Sequence, residues 1–273
     1  QYLHLGWSFF AIGMIEKVLI ADSIAAVIDP ALARYRDLST LDTWLCMAGF
    51  SYQLYFDFCG YSDMAVGLGY LFGLHIPQNF NSPYQALDIR EFWRRWHISL
   101  FSCLRDYVYI PLGGNRVARW KLSRNLLLTM LLGGLWHGAN WTFVGWGLYH
   151  GCLLVGYRTA GHYWDRLPTL ARQAGTFVLV LLGWVLFRAD NFEMAWTLLT
   201  KMFIIQWGLS LAGAATLVGF LAVAGGWAHF GPNAFQVRHE WRPVPAMAVA
   251  SLFLLCLLAI YGGEPSPFLY FQF

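Results

Sequence analysis

LLLTMLLGGLWHGANWTFVGWGLYHG, residues 126–151, is a long apolar run with His137 at its centre and a second histidine, His150, near its end. Tryptophans stand at 136 and 141, glycines at 133, 134 and 138, and an asparagine at 140. The run is long enough to enter a bilayer. Ionisable groups at that depth are costly and mark functional sites. On a continuous helix His137, Asn140 and Trp141 would share a face. Gly134 with Gly138, and Gly147 with Gly151, have the small-xxx-small spacing that lets helices pack closely. Two readings of His137 stand side by side. One is a buried imidazole bonded to a neighbouring carbonyl. The other is a general base that takes a proton from a hydroxyl as it attacks an acyl carbonyl, with Asn140 or a backbone N–H stabilising the oxyanion.

The rest of the chain agrees with a membrane setting. Of 273 residues, 58% are hydrophobic and only 12% charged, against about 25% charged in soluble domains. Composition predicts an all-α, polytopic transmembrane protein, and the formal charge of +3 is too small to predict nucleic-acid binding. The chain starts at Gln1 and is expected to lack an N-terminal part. It is expected to form a single domain over 1–273. Cys46, Cys59, Cys103, Cys152 and Cys256 are scattered with no Cys-x-x-Cys. They are expected to be small apolar fillers, and no metal site is predicted.

Residues 2–20 predict a span interrupted by Glu16 and Lys17, and 22–42 a polar loop. Two short apolar pieces, 43–56 and 64–74, flank Asp57-Phe-Cys-Gly-Tyr-Ser-Asp63. This pattern predicts a helix broken at membrane depth, covered by protein or a wet cavity. Asp57 and Asp63 would cap the break, pair with an arginine, or orient a histidine. Asp88-Ile-Arg-Glu91 predicts a capping box opening an amphipathic helix through Leu104, with Ile89, Phe92, Trp93, Trp96, Leu100 and Leu104 on its apolar stripe. Such a helix lies in the membrane interface. His97 sits at the stripe's border, either simply wet or orienting an acyl carrier, with Arg94 and Arg95 attracting phosphates of a donor or of lipid. His150 is expected to be structural.

Residues 90–124 hold the densest Lys and Arg cluster, opposed only by Glu91 and Asp106. The positive-inside rule therefore puts it in the cytoplasm. Three arginines against one aspartate over 158–172 place that stretch there too. The run between must enter and return, or cross twice, with His137 near the turning point. Further spans are expected over 173–187, 209–227 and 244–261, with a surface helix over 192–203. No Gly-x-Ser-x-Gly, His-Glu-x-x-His, Walker loop or dinucleotide fingerprint is present. Haem ligation by His97 and His137 is disfavoured by the arginines around His97.

A resemblance joins these pieces. DFCGYSDMA (57–65), NFNSPY (79–84), FWRRWHISL (92–100), RDYVYIPLGGNR (105–116), GLWHGANW (134–141), FRAD (187–190) and the closing FLYFQF (268–273) together resemble the membrane-bound O-acyltransferase family. Within it they are most similar to the bacterial branch that O-acetylates alginate and other polysaccharides. The resemblance implies helices around a central tunnel, with a donor, acetyl-CoA, reaching it from the cytoplasm and an acceptor from the other side. It implies no bound cofactor and an address in the bacterial inner membrane. The implied partners are an exported polysaccharide or periplasmic SGNH-type acetyl carriers. His137 would be the intramembrane catalytic histidine and His97 the second, cytoplasm-side one. Asn140, Trp136, Arg94, Arg95, Trp96 and Asp57 would contact substrate.

Overall fold

The computed structural model describes residues 2–209, 211–239 and 242–262. Every regular element among them is helical. The closing motif at 268–273 lies outside the described residues. The chain divides into two compact units. One contains 1–33, 48–81 and 211–273, and the other 34–47 and 82–210.

The first unit is built on α1 (Tyr2–Met14), α2 (Asp22–Leu32), the larger part of α3 (Thr40–Phe72), α10 (Ala214–Phe230) and α11 (Pro243–Gly262). α3 is one continuous helix, not two pieces, and at 1.5 Å per residue it runs for about 50 Å. Its polar centre survives unbroken because other groups meet it. Lys17 Nζ donates to Asp57 Oδ1 at 2.7 Å and to Asp22 Oδ1 at 2.6 Å. Helix-forming backbone bonds are thus kept, and the buried carboxylate finds its partner in a side chain. Glycines bring α1 against α3. A Cβ on Gly60 would lie 2.6 Å from the Gly13 carbonyl oxygen, and one on Gly67 would lie 2.7 Å from that of Gly6.

Between α1 and α2 the helix widens into a π-turn, Ile15–Ala21, which buries both Glu16 and Lys17. The expected loop after Asp22 is helical as far as Leu32. Ile24, Ile28, Ala31 and Leu32 recur on one buried face, and Pro30 falls in the last turn. Apolar periodicity outweighed the polar look of the segment.

The second unit holds α4 (Ile89–Arg95), α5 (Ile98–Leu104), α6 (Arg119–His137), α7 (Trp141–Trp164), α8 (Thr169–Arg188) and α9 (Phe192–Phe203). α6 and α7 form a tight antiparallel hairpin. Gly134 sits against the Phe143 carbonyl, Gly147 against that of Met130, and Gly151 against Leu127, with no room for a Cβ at the first two. α9 buries Met194, Ala195, Leu198, Lys201 and Met202 on one face. Its N-cap Asn191 accepts a hydrogen bond from the Met194 N–H at 2.9 Å.

α8 and α11 are long and apolar enough to cross a membrane, and α10 is a shorter apolar helix. α11 leaves Val244, Met247, Leu254, Leu258 and Tyr261 exposed.

Candidate functional site

The site lies in the second unit and starts from the cap of α4. Asp88 Oδ1 accepts hydrogen bonds from the Arg90 and Glu91 N–H groups at 2.8 and 3.0 Å. Glu91 Oε2 reaches back to the Leu87 N–H at 2.8 Å, so the expected capping box forms one residue displaced. Burial pushes the Asp88 carboxyl up. The Glu91 N–H and the Arg90 guanidinium and N–H outweigh that, and hold it below the usual carboxylate range. Asp88 and the aromatic residues of α4 are therefore fixed together.

α4 stops at Arg95. The amphipathic helix expected through Leu104 is two short helices, broken at Trp96 and His97. His97 takes a left-handed backbone, φ 44° and ψ 56°. Such a conformation costs a non-glycine residue about 1–2 kcal/mol. Residues held this way gather at functional sites. The break turns the His97 ring inward. It is 8% exposed, and its Nδ1 lies 3.3 Å from Ser99 Oγ.

His137 is the last residue of α6, at the turn of the hairpin. Its ring packs 5.3 Å from Trp146 of α7 and 5.0 Å from Phe187 of α8. Together His97 and His137 line one chamber of about 20 Å³ with Trp93, Trp96, Phe101, Leu104, Met130, Gly133 and Trp146. A chamber of that size holds about one water. Its walls are almost wholly apolar, so the histidines are its proton-handling groups.

Other residues singled out from sequence fall differently. Trp96 is in the wall, packed 4.9 Å from Trp184. Trp136 is 54% exposed and lies 6.0 Å from His97 and 5.2 Å from His137, ring to ring. Asn140 does not share a helix face with His137, because α6 has ended. Asn140 caps α7 by accepting from the Thr142 N–H, and its amide donates to the Asp190 carbonyl at 2.9 Å. Its side chain is thus committed to joining the hairpin to the end of α8. Arg94 is exposed, whereas Arg95 is tied to Glu91 at 2.6 Å one turn back. Asp57 belongs to the first unit and is paired with Lys17.

Sequence reasoning missed Trp93 and Trp146 as chamber walls. The only hint was their position beside His97 and within the glycine-rich run. His150 lies behind that wall, fully buried, 5.0 Å from both Trp93 and Trp146. Neither of its ring nitrogens has a hydrogen-bond partner.

The profile of the MBOAT, membrane-bound O-acyltransferase family, matches residues 6–211. The chain belongs to this family. It is a membrane protein accordingly. It is 50% identical over 216 residues to a protein of Azotobacter vinelandii named "Probable alginate O-acetylase AlgI", covering 78% of this chain and 43% of the relative. A protein of Pseudomonas putida with the same name is 42% identical over 297 residues, covering 98% of this chain and 61% of the relative. A "Peptidoglycan O-acetyltransferase" of Helicobacter pylori is 46% identical over 211 residues, covering 74% of this chain and 40% of that one. The chain thus spans between about two fifths and three fifths of the length of these relatives.

Proposed function

We propose that this chain carries the catalytic histidines of a membrane O-acetyltransferase acting on an exported polysaccharide. The observation that carries the reading is the pairing of His97 and His137 around one apolar chamber, in a chain half identical to a relative named for alginate O-acetylation. Neutral His137 accepts the proton of an acceptor hydroxyl as its oxygen attacks the acetyl carbonyl of a thioester. The C–S bond then breaks, and the thiolate takes up a proton. General base help of this kind contributes about 10²–10⁴-fold. His97, fixed by its strained backbone, orients the donor's acetyl group. The side chain of Asn140 is already engaged, so the oxyanion is met by backbone N–H groups of the turn that leads into α7, where the first N–H groups of a helix have no intrahelical partner.

The donor is acetyl-CoA, arriving from the cytoplasm, and exposed Arg94 is the first residue to meet its phosphates. The protein sits in the bacterial inner membrane as a multi-pass enzyme. The basic stretches 90–124 and 158–172 face the cytoplasm, and a tunnel through the core brings donor and acceptor together. No resident cofactor takes part. A periplasmic SGNH-type protein receives the acetyl group or completes its transfer to the polymer. The Helicobacter relative supports a second acceptor, peptidoglycan, with the same chemistry.

The test is complementation of a deletion strain with wild type or His137→Ala, measuring acetyl ester in the exopolysaccharide and in peptidoglycan. The variant should insert normally and leave the product unacetylated. Wild-type ester content with His137→Ala would overturn the assignment. Loss from peptidoglycan alone would replace the polysaccharide as acceptor.

A further inference from the structure

The first unit holds a second constellation of reactive groups that does not depend on the acyltransfer reading. Cys59 and Asp63 stand one turn apart on α3 and so share a face. Glu16 reaches the same point from the π-turn after α1. The Cys59 sulfur and one carboxylate oxygen each of Glu16 and Asp63 lie within 4.8 Å of one another. The three residues are 2%, 2% and 4% exposed in chain order. The Cys59 thiol points to Asp63 Oδ2 at 4.0 Å. Glu16 Oε2 is buried without a hydrogen-bond partner.

The charges do not balance. Lys17 is committed to Asp22 and Asp57. Among the described residues no Lys or Arg forms an ion pair with Glu16 or Asp63. Two carboxylates out of water either take up protons or need a positive charge among them, and the unpartnered Glu16 Oε2 beside the Cys59 sulfur and Asp63 leaves room for a cation. The π-turn itself supports a ligand. Neighbouring residues of a regular α-helix point about 100° apart, yet the widened turn sends both Glu16 and Lys17 into the interior. Single π-turns of this kind recur at functional sites.

We propose that Glu16, Cys59 and Asp63 bind a zinc-class divalent cation that clamps the π-turn to α3. The donor set selects the metal. Magnesium and calcium take all-oxygen shells, whereas a thiolate with two carboxylates suits zinc. Zinc bonds of 2.0–2.3 Å place tetrahedral donors about 3.3–3.8 Å apart, so the three donors close by about 1 Å through side-chain rotation. As the S–Zn bond forms, the Cys59 thiol proton is released to solvent. Three protein ligands leave the fourth position to a small ligand.

The experiment uses the full-length protein, purified in detergent without chelator and assayed for metal by mass spectrometry. Stripped protein is then titrated with cadmium, reading the ultraviolet thiolate-to-cadmium band. One zinc per chain is expected in wild type and in Cys103→Ser, with at least about tenfold less in Cys59→Ser and Glu16→Gln. The cadmium band should form in wild type and be absent in Cys59→Ser. Both wild-type readings decide the matter even where a variant folds poorly. Wild type free of stoichiometric metal and silent to cadmium would overturn the proposal. An infrared protonated-carboxyl stretch that Glu16→Gln removes would then identify a shared proton in the metal's place.

Discussion

His97 combines two properties that pull against each other. Its backbone is one that favours glycine, and its ring lines the chamber with His137. His97→Gly separates them. The backbone strain of about 1–2 kcal/mol is relieved, so thermal stability should hold or rise while acetyl transfer falls at least about tenfold. A variant that is both destabilised and active would mean the conformation serves packing alone. Asp88 gives a second prediction at this scale. As the N-cap of α4, its replacement by Ala should cost about 0.5–2 kcal/mol in unfolding free energy. Its carboxyl lies below the ordinary range, so its contribution is present above about pH 4 and is lost as pH falls through the folded value. The stability gap between wild type and Asp88→Ala, followed by thermal melts, should therefore close in acid. His137 stood out in the sequence because a histidine in an apolar run has few reasons to be there, whereas His97, set among arginines, was singled out by the resemblance of its motif. The left-handed turn at His97 was not visible, since nothing in Trp-Arg-Arg-Trp-His-Ile forbids a continuous helix.

The elements owe their geometry to glycines and to one lysine. Gly134 and Gly147 let α6 and α7 approach until backbone meets backbone. Gly134→Ala should push the hairpin apart at the end that carries His137, costing about 1–3 kcal/mol and reducing activity. A melting temperature equal to wild type would contradict the packing described. Lys17 holds Asp22 and Asp57 in a buried setting. Lys17→Met leaves both carboxylates without that cation, and removing one partner of such a pair costs about 3–5 kcal/mol. Lys17→Met combined with Asp57→Leu should recover part of the loss, which a double-mutant cycle measures. The same ion pair explains why a break was expected in α3. Polar residues inside an apolar stretch look like an interruption when their partner lies forty residues away in the chain.

At the scale of the molecule, the dominant fact is exposed apolar surface of the kind that suits a bilayer. α11 leaves most of its Leu, Val and Met side chains exposed, far more than a soluble protein shows in one patch. The chain should stay in the membrane fraction through an alkaline carbonate wash and leave it only with detergent. Recovery in the wash supernatant would contradict the membrane reading. Composition and hydropathy alone determined the helical class and the membrane setting, because burial in lipid is a summed property of side chains. The motif order determined the family, and the apolar run with its turn determined that His137 lies where two helices meet. Tertiary structure alone decided that α3 is unbroken, that Asn140 is a cap, that Trp93 and Trp146 wall the chamber, and that Glu16 meets Cys59 and Asp63. Each of these depends on which distant residue satisfies a buried polar group or fills a gap. Local sequence records the need for a partner, and packing selects which residue provides it.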